Sequence, residues 1–332
     1  MSNNILIFRT DRIGDLIYTC PSVLTIKDNL IKSNITLVCS NKNYEYAKNL
    51  NIFDEIIVFP TRNFLSKIKF INVLRKRYFD YIFVFDGKER SIITSILIKS
   101  KYKVSLSSKI KFYYKIFNIN FFKDYNNKNL YETFQEMLTY CKINTKISNY
   151  DFINKKVDNK FSSNILIRDY VHIHLDEKWI NSLYIKTYTD INPSYRSFVD
   201  FIETLNKEKN LLITTGIKSF DLIEKLKNNY FLKKNEQIFY KNNSKHSIYM
   251  IYKPTFEDLE SLLRNAKFLI SCHGALTHAS NCFKIRKIDI LEKGRKDFYI
   301  KYTSYLNNYC LIYRSNFDLL KKDIYKELLP FD

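Results

Sequence analysis

Apolar residues along this chain fall into short runs, separated by polar turns and by stretches of helical periodicity. Ile5-Leu6-Ile7-Phe8 has the pattern of a strand buried on both faces. The polar turn Arg9 to Asp15 follows, and apolar positions resume with helical spacing at Leu16, Ile17, Val23, Leu24 and Leu30. Pro21 then marks either a kink in that helix or the start of its regular part. The same alternation predicts strands at 34–40, 54–60 and 79–87, with a short helix at 44–50. Further strands are expected at 103–106 and 112–122, and a helix over 130–141. The polar, aperiodic stretch Asn144 to Asn164 reads as a linker. Beyond it, strands are predicted at 170–176, 211–215, 267–272, 286–291 and 310–314. Helices are predicted over 196–206, 219–227, 255–265 and 317–329. Thr255 and Asp258 have capping-box spacing, with Asp where Glu or Gln is usual. Strands alternating with helix-length segments imply βαβ units and parallel sheets. The expectation is an α/β protein of two domains, 1–155 and 156–332, with a cleft between them.

Length supports this division, since 332 residues suffice for two domains of ordinary size. No apolar run approaches the ~20 residues that span a bilayer, and the N-terminus does not look like a signal peptide. The six cysteines form no C-x-x-C pair, so reduced thiols and a cytoplasmic location are expected. A net charge of +20 attracts phosphorylated partners and anionic membrane surfaces. It is no argument for nucleic acid, because lysine is spread along the chain and accompanies a general abundance of Asn, Ile, Tyr and Phe.

Charge is concentrated where the first strand hands over to a helix, the edge at which open α/β sheets bind ligands. Asp15 there is either a helix cap or a general base. Gly14 beside it removes side-chain bulk. A second handover, Asp86-Gly87, runs into Lys88 and Arg90. In the second half, Ser271 to His278 and Thr214 to Lys218 are strand-to-helix junctions suited to an anion, although neither is a Walker A loop or a G-x-G-x-x-G. His172, His174 and Asp176 share one face of a strand, and His278 and Cys282 stand four apart on a helix. No metal is expected at either place, because a strand end near a cleft is naturally polar. Trp179 reads as a core or cleft-wall residue.

The whole chain is similar to glycosyltransferase family nine, the ADP-heptose:lipopolysaccharide heptosyltransferase family. Ile5 to Pro21 resembles that family's strand, its R-x-D-x-x-G-D turn and its later proline. Asp54 to Phe59, Phe79 to Asp86 with Arg90-Ser91, and Leu262 to Ala279 fall in the family's order. The family usually has S-x-D-[TS]-G-x-x-H-L-A at the last of these. Here His273 replaces the aspartate, Gly274 the Thr or Ser, and Ala275 the Gly, while Ser271 and His278 are kept. The resemblance implies a GT-B fold, two Rossmann-like domains facing a cleft, with the last helix a candidate for packing back on the first. It implies an inverting, metal-independent transferase with no cofactor besides its donor, and the chain contains no D-x-D. Asp15 would be the base. Thr214, Thr215, Lys218, Ser271, His273, Gly274, Thr277 and His278 would bind a nucleotide diphosphate sugar, ADP-heptose or similar. Arg9, Arg12, Gly14, Lys88 and Arg90 would bind an anionic glycolipid acceptor of the lipopolysaccharide-core kind, with the protein peripheral on the cytoplasmic face of the inner membrane. The alternatives are a non-catalytic binding protein on the same fold and, more distantly, a hydrolase with metal on the His172/His174/Asp176 face.

Overall fold

The computed structural model describes residues 2–61, 63–107, 117–123, 129–148, 152, 153, 161, 165, 167–243 and 245–328. Much of the expected linker at 144–164, and 112–116 of one expected strand, lie outside them. The chain divides into two compact units, Met1–Ile153 with Asp297–Tyr305, and Asn154–Lys296 with Leu306–Asp332.

The first unit begins with β1 (Asn3–Arg9), α1 (Ile13–Asn29), β2 (Ser33–Cys39), α2 (Tyr44–Asn49) and β3 (Glu55–Val58). It continues with α3 (Phe64–Arg75), β4 (Tyr78–Val84), α4 (Glu89–Ile96), β5 (Lys99–Ser107), β6 (Asn120–Lys123) and α5 (Leu130–Tyr140). Its strands lie in the order β3-β2-β1-β4-β5-β6, every neighbouring pair parallel. The winding reverses between β1 and β4, which makes their carboxyl ends the switch point of a doubly wound sheet. Ile5, Leu6, Ile7 and Phe8 have no exposed surface, as expected of a strand covered on both faces. Phe70 and Leu74 of α3 and Ile92 and Ile96 of α4 pack on one face, against Leu6, Phe8, Val38, Ile82 and Val84. α1 starts at Ile13 and runs through Pro21, so its regular part does not begin at the proline.

The second unit opens with β7 (Tyr170–Leu175), α6 (Tyr195–Asn206), β8 (Leu211–Thr215), α7 (Asp221–Asn229), β9 (Leu232–Lys233), β10 (Ile238–Asn242) and β11 (Ser247–Ile251). Then come α8 (Phe256–Leu263), β12 (Ala266–Cys272), α9 (Ala275–Ala279), β13 (Arg286–Leu291), α10 (Lys296–Thr303), β14 (Tyr309–Tyr313) and α11 (Phe317–Leu328). Its sheet runs β14-β13-β12-β7-β8-β11-β10-β9, with β10 antiparallel to both β11 and β9 and the other pairs parallel. Its switch point is between β7 and β12. The Thr255 box caps α8 from both sides, Thr255 Oγ1 accepting from Asp258 N–H at 3.2 Å and Asp258 Oδ2 from Thr255 N–H at 2.9 Å.

Phe317, Leu320, Ile324 and Leu328 of the last helix, α11, are part of the second unit's core. The segment Asp297–Tyr305, which carries most of α10, belongs to the first unit. It is fastened by aromatic rings, Tyr18 meeting Tyr302 at 5.7 Å and Tyr305 at 5.2 Å, with Tyr131 on Tyr305 at 4.9 Å. The Tyr18 hydroxyl also donates to the Lys301 carbonyl at 3.0 Å.

The turn after β4 depends on a glycine. Gly87 has φ +57°, and a Cβ there would lie 2.5 Å from the Leu106 carbonyl oxygen. Gly87→Ala is therefore expected to destabilise the chain by about 1–3 kcal/mol. Denaturant unfolding checks this, and an unchanged midpoint would show that the turn tolerates a side chain.

Candidate functional site

Charged groups gather at the switch point of the first sheet because β1 has no exposed position until it ends. Arg9 is 4% exposed, and its Nη1 donates to the Phe85 carbonyl and its Nε to the Asp15 carbonyl at 2.9 Å. Its guanidinium also reaches Asp11 at 3.4 Å and the Asp15 carboxylate at 3.5 Å. Burial opposes this charge, but Asp15, Asp11 and Asp86 together outweigh it and hold the Arg9 pKa above its ordinary value. Across the switch point, Asp86 accepts from the Thr10 hydroxyl at 2.6 Å, the Ser91 hydroxyl at 2.8 Å and the Lys88 N–H at 3.1 Å. Burial, with Asp11 nearby, pushes the Asp86 carboxyl upward against these bonds. Lys88 is ion-paired with Asp11. Arg90 donates to the Thr10 hydroxyl at 2.8 Å and stacks over the Phe59 ring at 5.1 Å.

Asp15 is the third residue of α1, after Arg12 as N-cap, so the capping alternative takes a different form from a simple Asp cap. One carboxylate oxygen accepts from the Arg12 N–H at 3.3 Å and the other faces Arg9. Its side chain is 38% exposed, so one carboxylate is fixed and still open to a ligand. Gly14 precedes it in the first turn, and Arg12 is exposed. Arg9, by contrast, is enclosed and acts on the carboxylates rather than standing free for an acceptor.

In the second unit the centre is Asp289 on β13, 0% exposed and not recognised from sequence. It pairs with His273 Nδ1 at 2.7 Å and accepts from the Tyr309 hydroxyl at 3.0 Å and the Thr277 hydroxyl at 3.2 Å. Thr277 Oγ1 also lies 3.3 Å from Ser271 Oγ and accepts from the Gly274 N–H at 3.3 Å. The turn between β12 and α9 is thus anchored on a buried carboxylate. A carboxylate inside the otherwise apolar end of the 286–291 run was the available signal. Lys178, also missed, pairs with Asp176 at 2.9 Å, and a Cβ on Gly274 would lie 2.5 Å from its Nζ. Gly274 therefore leaves room for an ammonium at the switch point. Burial works against that charge, but Asp176 holds Lys178 above the usual lysine value. Of the predicted donor residues, Ser271, Thr277 and His278 are enclosed around this centre, while His273 keeps an exposed edge.

The β8 junction is different. The Thr214 hydroxyl sits between His172 Nε2 at 2.8 Å and His174 Nδ1 at 2.9 Å, and Thr215 Oγ1 accepts from the Lys253 N–H at 2.8 Å. Both threonines are at most 1% exposed, so their side chains are closed to a ligand. Lys218 is on the loop beyond, its Nζ 3.4 Å from the Leu183 carbonyl. His172, His174 and Asp176 do line up at the end of β7, with His174 Nε2 3.7 Å from Asp176. Among the described residues, no group of three or more His, Cys, Asp or Glu side chains is arranged to hold a metal ion. Trp179 is fully buried, donating from Nε1 to the His174 carbonyl at 2.9 Å.

The sequence matches no protein-family model and no curated protein. Solved structures share its fold over nearly the whole chain. E. coli heptosyltransferase WaaC with ADP-2-deoxy-2-fluoro heptose is 13% identical, covering 98% of this chain and 99% of that one, with a TM-score of 0.67. A glycosyl transferase family 9 structure from Veillonella parvula is 14% identical, at 98% and 89% coverage and a TM-score of 0.69. UDP-GlcNAc 2-epimerase from Methanocaldococcus jannaschii is 14% identical, at 100% and 93% coverage and a TM-score of 0.57. The chain has the α/β fold of GT-B glycosyltransferases, two Rossmann-like units, and epimerases share it.

Three buried histidines give a pH signature. Burial lowers His172 to about 3 and His174 to about 4, and it holds His278 well below 6.5. Each is neutral when folded and binds a proton below pH 6.5 when unfolded, so stability is full above 6.5 and falls with pH toward about 4. The loss is about 1.4 kcal/mol per pH unit for each histidine. The melting temperature should therefore drop between about pH 7 and pH 5, with protons taken up on unfolding. Calorimetry at both pH values checks this, and a flat profile would mean that these histidines titrate in the fold as they do unfolded.

Proposed function

We propose that the chain is an inverting glycosyltransferase that moves a sugar from a nucleotide diphosphate donor to an anionic glycolipid acceptor, with Asp15 as general base. The observation that carries this reading is the Asp15 carboxylate, exposed at the switch point while the buried Arg9 guanidinium and the Arg12 N–H hold it in place. A base must be fixed, open to solvent and backed by charge that does not itself take the proton. Arg9 meets the last condition, since a guanidinium does not titrate in the working range. Inversion requires the acceptor oxygen to attack opposite the leaving diphosphate. Asp15 takes the acceptor hydroxyl proton, the C–O bond to the diphosphate breaks, and the diphosphate leaves with the electron pair. Lys178, beside the Gly274 turn, is the cation for that developing charge. Lys88, Arg90 and Arg12 supply positive charge on the acceptor side. The fold supports the reading, since heptosyltransferases share it.

Asp15→Asn is expected to leave nucleotide binding intact and to lower sugar transfer by ~100-fold or more. The experiment begins with a thermal-shift panel of ADP, UDP, GDP and CDP and their sugars, because a ligand of the native state raises stability. Transfer to lipopolysaccharide core from the best donor is then compared between wild type and variant. Transfer by the variant at the wild-type rate would reduce Asp15 to a capping residue.

His273 stands beside Asp289, which takes up its Nδ1. A neutral imidazole therefore turns a single nitrogen acceptor, Nε2, toward the donor sugar, where the aspartate usual in the resembling family turns a charged carboxylate. His273→Asp alone would set a second carboxylate where His273 Nδ1 now meets buried Asp289 at 2.7 Å. That variant should lose about 2 kcal/mol or more of stability, as an unpaired buried charge does. His273→Asp with Asp289→Asn should recover much of the loss and change which sugar nucleotide shifts the melting temperature. A single variant as stable as wild type would show that the His273–Asp289 pair does not anchor the turn.

A further inference from the structure

Among the described residues, helix α3 is the stretch where apolar side chains are exposed together and charge of one sign surrounds them. Phe64 is 75% exposed, Leu65 64%, Val73 58% and Ile68 39%. Spacing places Phe64, Leu65 and Ile68 on the outer side of a helix whose inner side, through Phe70 and Leu74, packs on the sheet, with Val73 exposed at its flank. α4 covers the same sheet face and adds Ile93 at 45% and Leu97 at 43%. Single exposed apolar residues need no explanation, but a cluster of this kind marks an interaction surface.

Charge identifies the partner. From Ile56 to Phe79 the sequence has six cations, Arg62, Lys67, Lys69, Arg75, Lys76 and Arg77, and no carboxylate. Arg77 is used internally, on Glu55 at 2.7 Å. Exposed apolar residues flanked by lysine and arginine fit the boundary of an anionic bilayer, where a helix lies in the interface with its apolar side ~5–10 Å deep. Each cation near such a surface adds about 1 kcal/mol. A protein groove would instead have to match this positive stretch with carboxylates of its own.

Topology gives the docking a direction. In a parallel sheet every strand-to-helix junction is at one edge, so Phe64 and Leu65, opening α3 after β3, stand at the edge that carries Asp15. Phe59, five residues before Phe64, lies under the Arg90 guanidinium of the same cluster. We infer that α3 is a membrane-docking helix that inserts Phe64 and Leu65 into an anionic lipid surface, bringing the Asp15 edge to the bilayer. This deepens the glycolipid part of the function proposed above, but it needs no transferase activity to hold.

The full chain is sedimented with phosphatidylcholine vesicles, with and without about 30% phosphatidylglycerol, at ~0.15 M and ~1 M salt, where charge is screened within about 8 Å and 3 Å. Wild type should bind only the anionic vesicles and keep a measurable fraction at high salt, because part of the attraction is apolar. Phe64→Ser with Leu65→Ser should weaken binding at least tenfold, about 1.4 kcal/mol, and remove the salt-resistant part. Ile31→Ser, at a 90% exposed residue of the opposite sheet edge, should bind like wild type. The inference is overturned if the double variant binds like wild type or if neutral vesicles bind equally well. It is overturned also if wild type forms a dimer that the double variant abolishes, since a second copy then covers α3. Thermal shift by the best nucleotide, on the same double variant, reports separately on the transferase reading.

Discussion

Strand β1 is enclosed on both faces from Ile5 to Phe8, so the first charged group it can carry is Arg9, at its carboxyl end. That guanidinium is itself buried, and a buried charge must be paired and hydrogen-bonded. Asp11, Asp15 and the carbonyls of Phe85 and Asp15 meet this need, and together they shape the turn into α1. Removing the guanidinium would take away the cation that Asp15 faces and leave Asp11 to Lys88 alone. The open carboxylate of Asp15 is therefore a consequence of how the first sheet buries its central strand.

The second unit solves a similar problem with the signs exchanged. Asp289 and Asp176 are buried carboxylates, and each organises neighbours that reach the sheet edge, His273 and Thr277 for the one and Lys178 for the other. Low dielectric makes such contacts strong when complete and damaging when broken. This explains how the turn that carries His273 is ordered with no carboxylate of its own: the carboxylate is on the neighbouring strand. The two units thus present different chemistry at corresponding edges, an exposed carboxylate in one and an ammonium beside a glycine turn in the other.

Charge and aromatic content have structural uses beside the site. Tyr18, Tyr131, Tyr302 and Tyr305 fasten the returning segment Asp297–Tyr305 onto the first unit, with geometry typical of aromatic pairs. Much of the positive charge is a solvated surface, and what sets α3 apart is that its cations flank exposed apolar side chains.

The sequence by itself determined the central elements. The Ile5–Phe8 run, the Thr255 box and the apolar strands at 211–215 and 286–291 are local patterns, and burial on both faces or a cap acts within a few residues. It also located the Asp15 turn, because charge next to a buried strand is visible without coordinates. Other features are relations between distant residues. The β10–β11 hairpin lies outside the predicted strands although Ile248 to Ile251 is an apolar, buried run, and its pairing with β8 on one side and β9 on the other is decided only by the sheet. That most of α10 belongs to the first unit depends on rings far apart in sequence, Tyr302 and Tyr305 meeting Tyr18. Thr214 and Thr215 read as ligands at a strand end, yet the neighbouring strand brings His172 and His174 onto the first, and the Lys253 N–H closes the second. Asp289 looked like one more polar residue in a strand until the fold set it against His273, sixteen positions earlier. Hydrophobic periodicity selects elements through local burial, whereas the partner of a buried polar group is chosen by strand order, and strand order is settled only when the whole sheet closes.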